Sequence, residues 1–483
     1  MEEKETGKNF NNSRNINRYF LSAFDTEPHI QLFFYAIIIQ LLGLSVSGFG
    51  YYISPNPFWL IGSFIYILWF LVMFAILHPQ TNRFFCDRHI SLKRGMTVIF
   101  IVMVVVIIGE IILLALPVSN SADDTGNDNM EELILSLQNA FNYTDSTALT
   151  IQAVENLLDG ENPYAHPNIV TALIEYESTY KQTTPLRLGR LADTFPHPTD
   201  EQLAEIWESA LADTSQVPEE LDTVMCYPAG SFLLLAPFYA AGIDNSMLIY
   251  AIFVIAALVY TALQIPKDKR LIFVMAVIIS MDIWNCIFNS SISNMVFPFL
   301  LIAWVTLGKK KTLSPVSMGI AAAAKQTAWF FIPFYFILDW KTSGFKAAMK
   351  SAGIIGLVFF AINGYFIFQD PQLWFESVIY PMTEPAFPEG VGIITWVTSG
   401  LVDIQSQLLF AILEITVFTG AIIWYIRNAK KYPDAGPLLA VLPLFFAWRS
   451  LSSYFFYITI IVLACVLCRT KQKGEPCSQA LPT

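Results

Sequence analysis

The chain has 483 residues, of which 55% are hydrophobic and only 14% charged, and its formal net charge is −11. The apolar residues come in long blocks, which excludes a soluble domain of this length, where they would be spread at amphipathic spacing. The charge is also unevenly divided. Residues 118–226 hold 20 acidic against 3 basic side chains while the remainder is net basic, a pattern that marks membrane sidedness and not a nucleic-acid partner.

Residues 1–28 are polar, of mixed charge, and unlike a cleavable signal, so they read as a cytoplasmic tail. Apolar blocks follow at 31–53, 58–77 and 96–116, each long enough to cross a bilayer as a helix. Residues 29–117 are therefore a first set of transmembrane helices. Basic clusters at 83–94, 267–270, 309–311, 341–350, 427–431 and 469–473 belong on the cytoplasmic side. That places the acidic loop, 118–226, outside. Residues 119–129 are small, polar and acidic, and read as a flexible linker. Residues 145–158 put Ala148, Ile151, Val154 and Leu158 at helical spacing, with Gly160 as a terminating residue and Pro163 beyond it. This predicts an amphipathic helix lying along the membrane face. Residues 197–212 predict a second, more polar helix.

A transmembrane core fills 227–468, and 469–483 return as a cytoplasmic tail. The fold class is an all-α polytopic membrane bundle with a large extracytoplasmic loop after the third helix. Two segments disturb the in–out alternation. Residues 227–242 and 319–339 would each have to enter and leave on one face. Pro237 in the first, and Lys325 and Pro333 in the second, predict broken, re-entrant helices. The other reading is a local failure of the basic-inside rule.

Asp145 stands at the outer lip, after Asn142-Tyr143-Thr144 and directly before the amphipathic helix. A carboxylate there can take a proton from an acceptor hydroxyl, a contribution of about 10²–10⁴-fold. It can also cap the helix it precedes, which helix chemistry alone favours, and the two roles are compatible. Lys325 lies deep in an apolar segment, where a charge costs about 2.5–3.5 kcal/mol on insertion scales. It calls for an anionic partner: a lipid phosphate, or an acid such as Glu110, Asp282 or Glu414. Arg449 falls between two apolar stretches on the external side, against the charge rule. It suits bidentate phosphate binding, or an interfacial anchor beside Trp448 and Tyr454. Tyr227 opens the first irregular helix. Asp282, Asn285, Asn289 and Asn294 suit sugar hydroxyls or serve as turn residues. The Pro- and aromatic-rich stretch 370–390 reads as an external loop able to cover a site. Walker A, Rossmann glycine and HExxH patterns are absent. The five histidines are scattered, so neither a metal nor a cofactor is expected. Cys465 and Cys468 sit in an apolar helix, where packing is the better reading.

These elements, taken in order, carry a resemblance. Asp145 followed by Leu157-Leu158-Asp159-Gly160-Glu161-Asn162-Pro163-Tyr164 resembles a signature of GT-C superfamily glycosyltransferases. The likeness is to the family 87 type, which resembles polyprenol-phosphate-mannose-dependent mannosyltransferases. Tyr227-Pro228-Ala229 with Pro237 is similar to that family's Tyr-Pro-Pro helix, with Ala229 in place of the second proline. Residues 320–333 with Lys325 resemble its lysine segment, and Arg449 with Tyr454 its C-terminal arginine–tyrosine element. A long insertion, 165–226, and an additional N-terminal helix pair depart from the pattern.

The resemblance implies an inverting transfer of a sugar, such as mannose, from a polyprenyl-phosphate donor to a glycan or glycolipid acceptor at the outer face of the cell membrane. Asp145 would be the base. Lys325, Arg449, Tyr164, Tyr227, Asp282, Asn294 and Tyr454 would bind substrate. The alternative from the residues alone is a transporter or lipid-linked sugar flippase, with the intramembrane charges as relay groups.

Overall fold

The computed structural model describes residues 27–52, 55–88, 143–288 and 290–469, with the single positions 92, 101, 105 and 108. The third apolar block apart from positions 101, 105 and 108, Glu110, the linker at 119–129, Asn142, Asn289 and the tails at 1–26 and 470–483 lie outside the described residues.

Among the described residues the architecture is helical, and six helices are long and apolar enough to cross a membrane. Two of them, Pro28–Tyr52 and Pro55–Leu77, pack side by side at the N-terminal end. The others are Ser246–Gln264, Phe345–Gln369, Gln407–Asn428 and Ser452–Arg469. A bent pair, Lys267–Ile279 and Met281–Phe288, turns by 51° at Ser280 and makes a seventh candidate span. Large apolar side chains such as Ile255, Leu357, Phe368, Leu408 and Ile415 stay exposed on these helices, as a lipid-facing surface requires.

The N-terminal pair is joined to the core by polar contacts. Gln40, Trp69 and Thr459 are all buried. Trp69 Nε1 donates to the Thr459 hydroxyl at 3.0 Å, which donates to Gln40 Oε1 at 2.9 Å. Gln40 Nε2 donates to the Phe455 carbonyl at 2.9 Å.

Both irregular segments are built from short helices. Residues 227–242 form Gly230–Leu233 and Ala236–Ala240, too short to cross a hydrocarbon core of about 30 Å. The break falls just before Pro237, which the first turn of the second piece accommodates. Gly230 lets this segment approach closely, because a Cβ there would strike the Ala323 backbone.

The second segment is longer than 319–339. It runs Leu313–Ala324, then a 3₁₀ turn Gln326–Phe330, then Phe331–Ser343. Its arms lie together: the Ser314 and Tyr335 hydroxyls are 2.7 Å apart. The chain therefore doubles back as a hairpin with Lys325 at its apex. Lys325 itself has extended backbone (φ −158°, ψ 142°) and ends the first arm. Pro333 sits in the first turn of the second arm, where its missing N–H removes no helix bond.

In the acidic loop, the helix Asp145–Leu158 buries Ala148, Ile151 and Val154 completely. That face packs on Ile169–Glu175 and on Gly230–Ala240, so protein covers it. Leu158, in the last turn, is exposed instead. The second loop helix is Asp200–Ala212, three residues shorter than expected. Thr199 and Gln202 form a capping box that sets its start.

Candidate active site

Asp145 is the first residue of its helix. The N-cap is Thr144, extended at φ −72° and ψ 156° and without a side-chain capping bond. Asp145 Oδ1 accepts the Ser146 backbone N–H at 2.6 Å. Its Oδ2 accepts the Thr184 hydroxyl at 2.5 Å. The carboxylate is thus oriented by a neighbour from the long insertion. An ionised carboxylate offers about four lone-pair sites, so two donors leave it able to accept more.

Arg449 lies on the far side of Thr184. Its Nη1 donates to Glu384 at 3.2 Å, and its Nη2 to Glu389 at 2.9 Å and to the Thr184 hydroxyl at 3.4 Å. Guanidinium only donates, so Thr184 accepts from Arg449 and its own hydrogen points to Asp145. One hydroxyl separates the two residues. The Nε of Arg449 is buried and has no hydrogen-bond partner among the described residues.

Four extended segments, distant in sequence, present this cluster. Asp222 N–H donates to the Thr184 carbonyl at 2.9 Å, Leu186 N–H to Glu220 at 2.8 Å, and Arg187 N–H to Pro385 at 2.8 Å. Glu389–Gly390 pairs in parallel with Arg449–Ser450. Thr184 precedes a proline, which favours the extended backbone this pairing needs.

Burial pushes the Asp145 carboxyl up from the usual range, while the Thr184 hydrogen bond, the Arg449 charge and the Ser146 N–H pull it back and Glu389 adds to the rise. Asp222 is pushed well above the usual range by burial and by Glu384. Burial also raises Glu384, against the charge and hydrogen bonds of Arg449 and a hydrogen bond from Asp222. Arg449 pairs with Glu384, which favours the ionised form there and leaves the protonated form favoured at Asp222. Among the described residues no set of three or more His, Cys, Asp or Glu side chains converges as a metal site.

Lys325 is buried. Its Nζ donates to the Ser293 hydroxyl at 3.1 Å and lies 5.2 Å from the Tyr227 ring centre and 5.8 Å from that of Tyr454. It is within electrostatic reach of Asp145 and Arg449. Among the described residues it forms no ion pair, with Asp282 and Glu414 included.

The structure brings together Asp145, Lys325, Arg449, Tyr227 and Tyr454. Tyr164 stands one layer behind. It is buried, it packs on Phe232 and Phe366, and its hydroxyl donates to the Tyr227 carbonyl at 2.9 Å. Asn294 follows Ser293 in the turn Ile292–Met295. Its Nδ2 donates to the Cys286 carbonyl at 2.7 Å, and its Oδ1 is buried with no partner among the described residues. Asp282 sits further away, just past the bend at Ser280 and next to Tyr66. A cavity of about 60 Å³ lined by Lys310, Lys311, Ser314, Asp339 and Lys350 lies at the hairpin's open end, remote from this cluster. Thr184, Asp222, Glu384 and Glu389 were not named as site residues from sequence, although Glu384 and Glu389 fall in the stretch 370–390 expected to cover a site. For Thr184 the usable signal was Thr184-Pro185, a mark of extended backbone.

The family model described as glycosyltransferase family 87 matches residues 226–446. The match spans Tyr227, Lys325, Glu384 and Glu389 and leaves Asp145, Thr184 and Arg449 outside it. No curated protein and no solved structure matches the chain.

Proposed function

We propose that this membrane glycosyltransferase, whose residues 226–446 match the family 87 model, moves a hexose, such as mannose, from a polyprenyl phosphate to a hydroxyl of a glycan or glycolipid at the outer membrane face. The observation that carries this reading is the shared Thr184 hydroxyl. It joins a carboxylate, Asp145, to a guanidinium, Arg449, with the buried Lys325 close by.

In the proposed reaction Asp145 takes the acceptor's hydroxyl proton as that oxygen bonds to the anomeric carbon. The bond from that carbon to the phosphate oxygen breaks, and polyprenyl phosphate leaves with its electron pair. Attack opposite the leaving group inverts the anomeric centre. Lys325 has two further N–H donors beyond its bond to Ser293, and Arg449 has its Nε. These are the donors for the phosphate, whose growing charge they stabilise. The Arg449 fork is already engaged by Glu384 and Glu389, so Lys325 carries the larger share. Tyr227 and Tyr454 flank the lysine, and Tyr164 fixes the Tyr227 backbone.

Asp145→Asn tests the reading. Asn keeps the size and can still accept the Thr184 hydroxyl, but it cannot take the proton. Transfer from polyprenyl-phosphate mannose in membranes of the producing cells should fall by about 10²–10⁴-fold, with the protein still folded. Transfer at the parent rate would remove Asp145 as base.

A further inference from the structure

We propose that Thr184, from the insertion that precedes the family 87 region, is a positioning residue that aims Asp145 and keeps it ionised. The inference rests on the proposed role of Asp145 and extends it to a segment that otherwise reads as packing.

The hydroxyl has a fixed polarity. Arg449 can only donate to it, so its one hydrogen is committed to Asp145 Oδ2 at 2.5 Å. Ser146 N–H holds the other oxygen at 2.6 Å. Two donors from different directions define the plane of the carboxylate, and with it the direction in which a further hydroxyl can approach.

Thr184 is itself firmly placed. Its carbonyl accepts Asp222 N–H on one edge, and three residues on, Arg187 N–H donates to Pro385 on the other. A side chain on backbone paired at both edges is better placed than one on a free loop. The same pairing places Asp222 beside it, and Arg449 links it to Glu384. Glu384 and Glu389 hold the Arg449 head group in position to donate to Thr184.

The surroundings give the hydroxyl work to do. Asp145 faces the negative charges of Glu384 and Glu389, and it faces Asp222, whose carboxyl is pushed toward the protonated form by burial and by Glu384. Lys325 and Arg449 face it with positive charge, and Tyr227 and Cys226 are its remaining titratable neighbours. Burial favours the protonated, inactive form of Asp145, and the Thr184 bond opposes this. A group whose ionised form accepts a hydrogen bond has its pKa lowered by it. Removing the donor must therefore move the pKa of Asp145 upward.

Thr184→Val is close to isosteric and keeps the β-branched shape suited to extended backbone. The measurement is transfer from polyprenyl-phosphate mannose as a function of pH. For Thr184→Val the acid limb of kcat/KM should move up by about one pH unit, the scale of one hydrogen bond to a charged group. Transfer at pH values below the parent limb should fall about tenfold. Thr184→Ser restores the donor and should return the limb to the parent position. If Thr184→Val fails to accumulate, Thr184→Ala against Thr184→Ser gives the same comparison. A parent-like acid limb in the variants lacking the hydroxyl would overturn the proposal, as would a limb that Ser does not restore. Neither result touches the base assignment, which fails only if Asp145→Asn remains active.

Discussion

Lys325 shows how a single residue can be expensive and still retained. It is buried at the apex of a hairpin, bonded to Ser293 and flanked by Tyr227 and Tyr454. A tyrosine pair offers cation–π attraction but no countercharge. Lys325→Met should therefore weaken binding of polyprenyl-phosphate mannose in nanodiscs by tenfold or more, the scale of one hydrogen bond to a charged group. The folded protein should be recovered in parent yield, since an apolar side chain costs less at this depth. Unchanged affinity would leave Lys325 with a structural role alone. Lys325 and Arg449 were legible in the sequence because each breaks a rule, a charge in an apolar run and an arginine set against the charge rule, whereas Asp145 was legible by its place at the entrance of an amphipathic helix. Thr184, Asp222 and Glu384 break none. A threonine and two acids in polar, acidic surroundings are unexceptional until backbone pairing of 184–187 with 220–222 and 385–386 sets them side by side.

Among the elements, the smallest are the most exacting. The two-residue pairing of Glu389–Gly390 with Arg449–Ser450 holds an acid and its arginine in register. Gly390 has φ +128°, and a Cβ there would collide with the Ser450 carbonyl. Gly390→Ala should cost about 1–3 kcal/mol of strain and separate Glu389 from Arg449. Thermal unfolding in detergent, followed with the transfer rate, should show both falling. Parent stability would mean the pairing gives way freely. The long helices were readable because twenty apolar residues have few other uses. The breaks were readable too, since Pro237 does not suit a helix interior and Lys325 does not suit an apolar one. Their outcome was harder to see. Pro237 and Pro333 each ended in a first turn, and the hairpin began at Leu313 because the contact between Ser314 and Tyr335 is a matter of packing.

At the scale of the whole molecule, sidedness decides whether the cluster can serve an outer-face reaction. Ser215 is exposed in the acidic loop, on the same insertion as Thr184. A membrane-impermeant maleimide should label Ser215→Cys in intact cells above the parent background. Labelling only after permeabilisation would put Asp145 on the cytoplasmic side and end the outer-face reading. The bonds among Gln40, Trp69, Thr459 and Phe455 bear on how such a molecule is made. They join residues 390 to 419 positions apart, and a ribosome delivers their partners in order. Gln40 and Trp69 emerge long before Thr459 and Phe455, and go without these partners until that stretch is synthesised. Arg449 emerges just ahead of it. The nascent chain therefore carries Asp145 and Thr184 well before the arginine that bonds Thr184, so that this cluster and the N-terminal clasp are completed within one short stretch of synthesis.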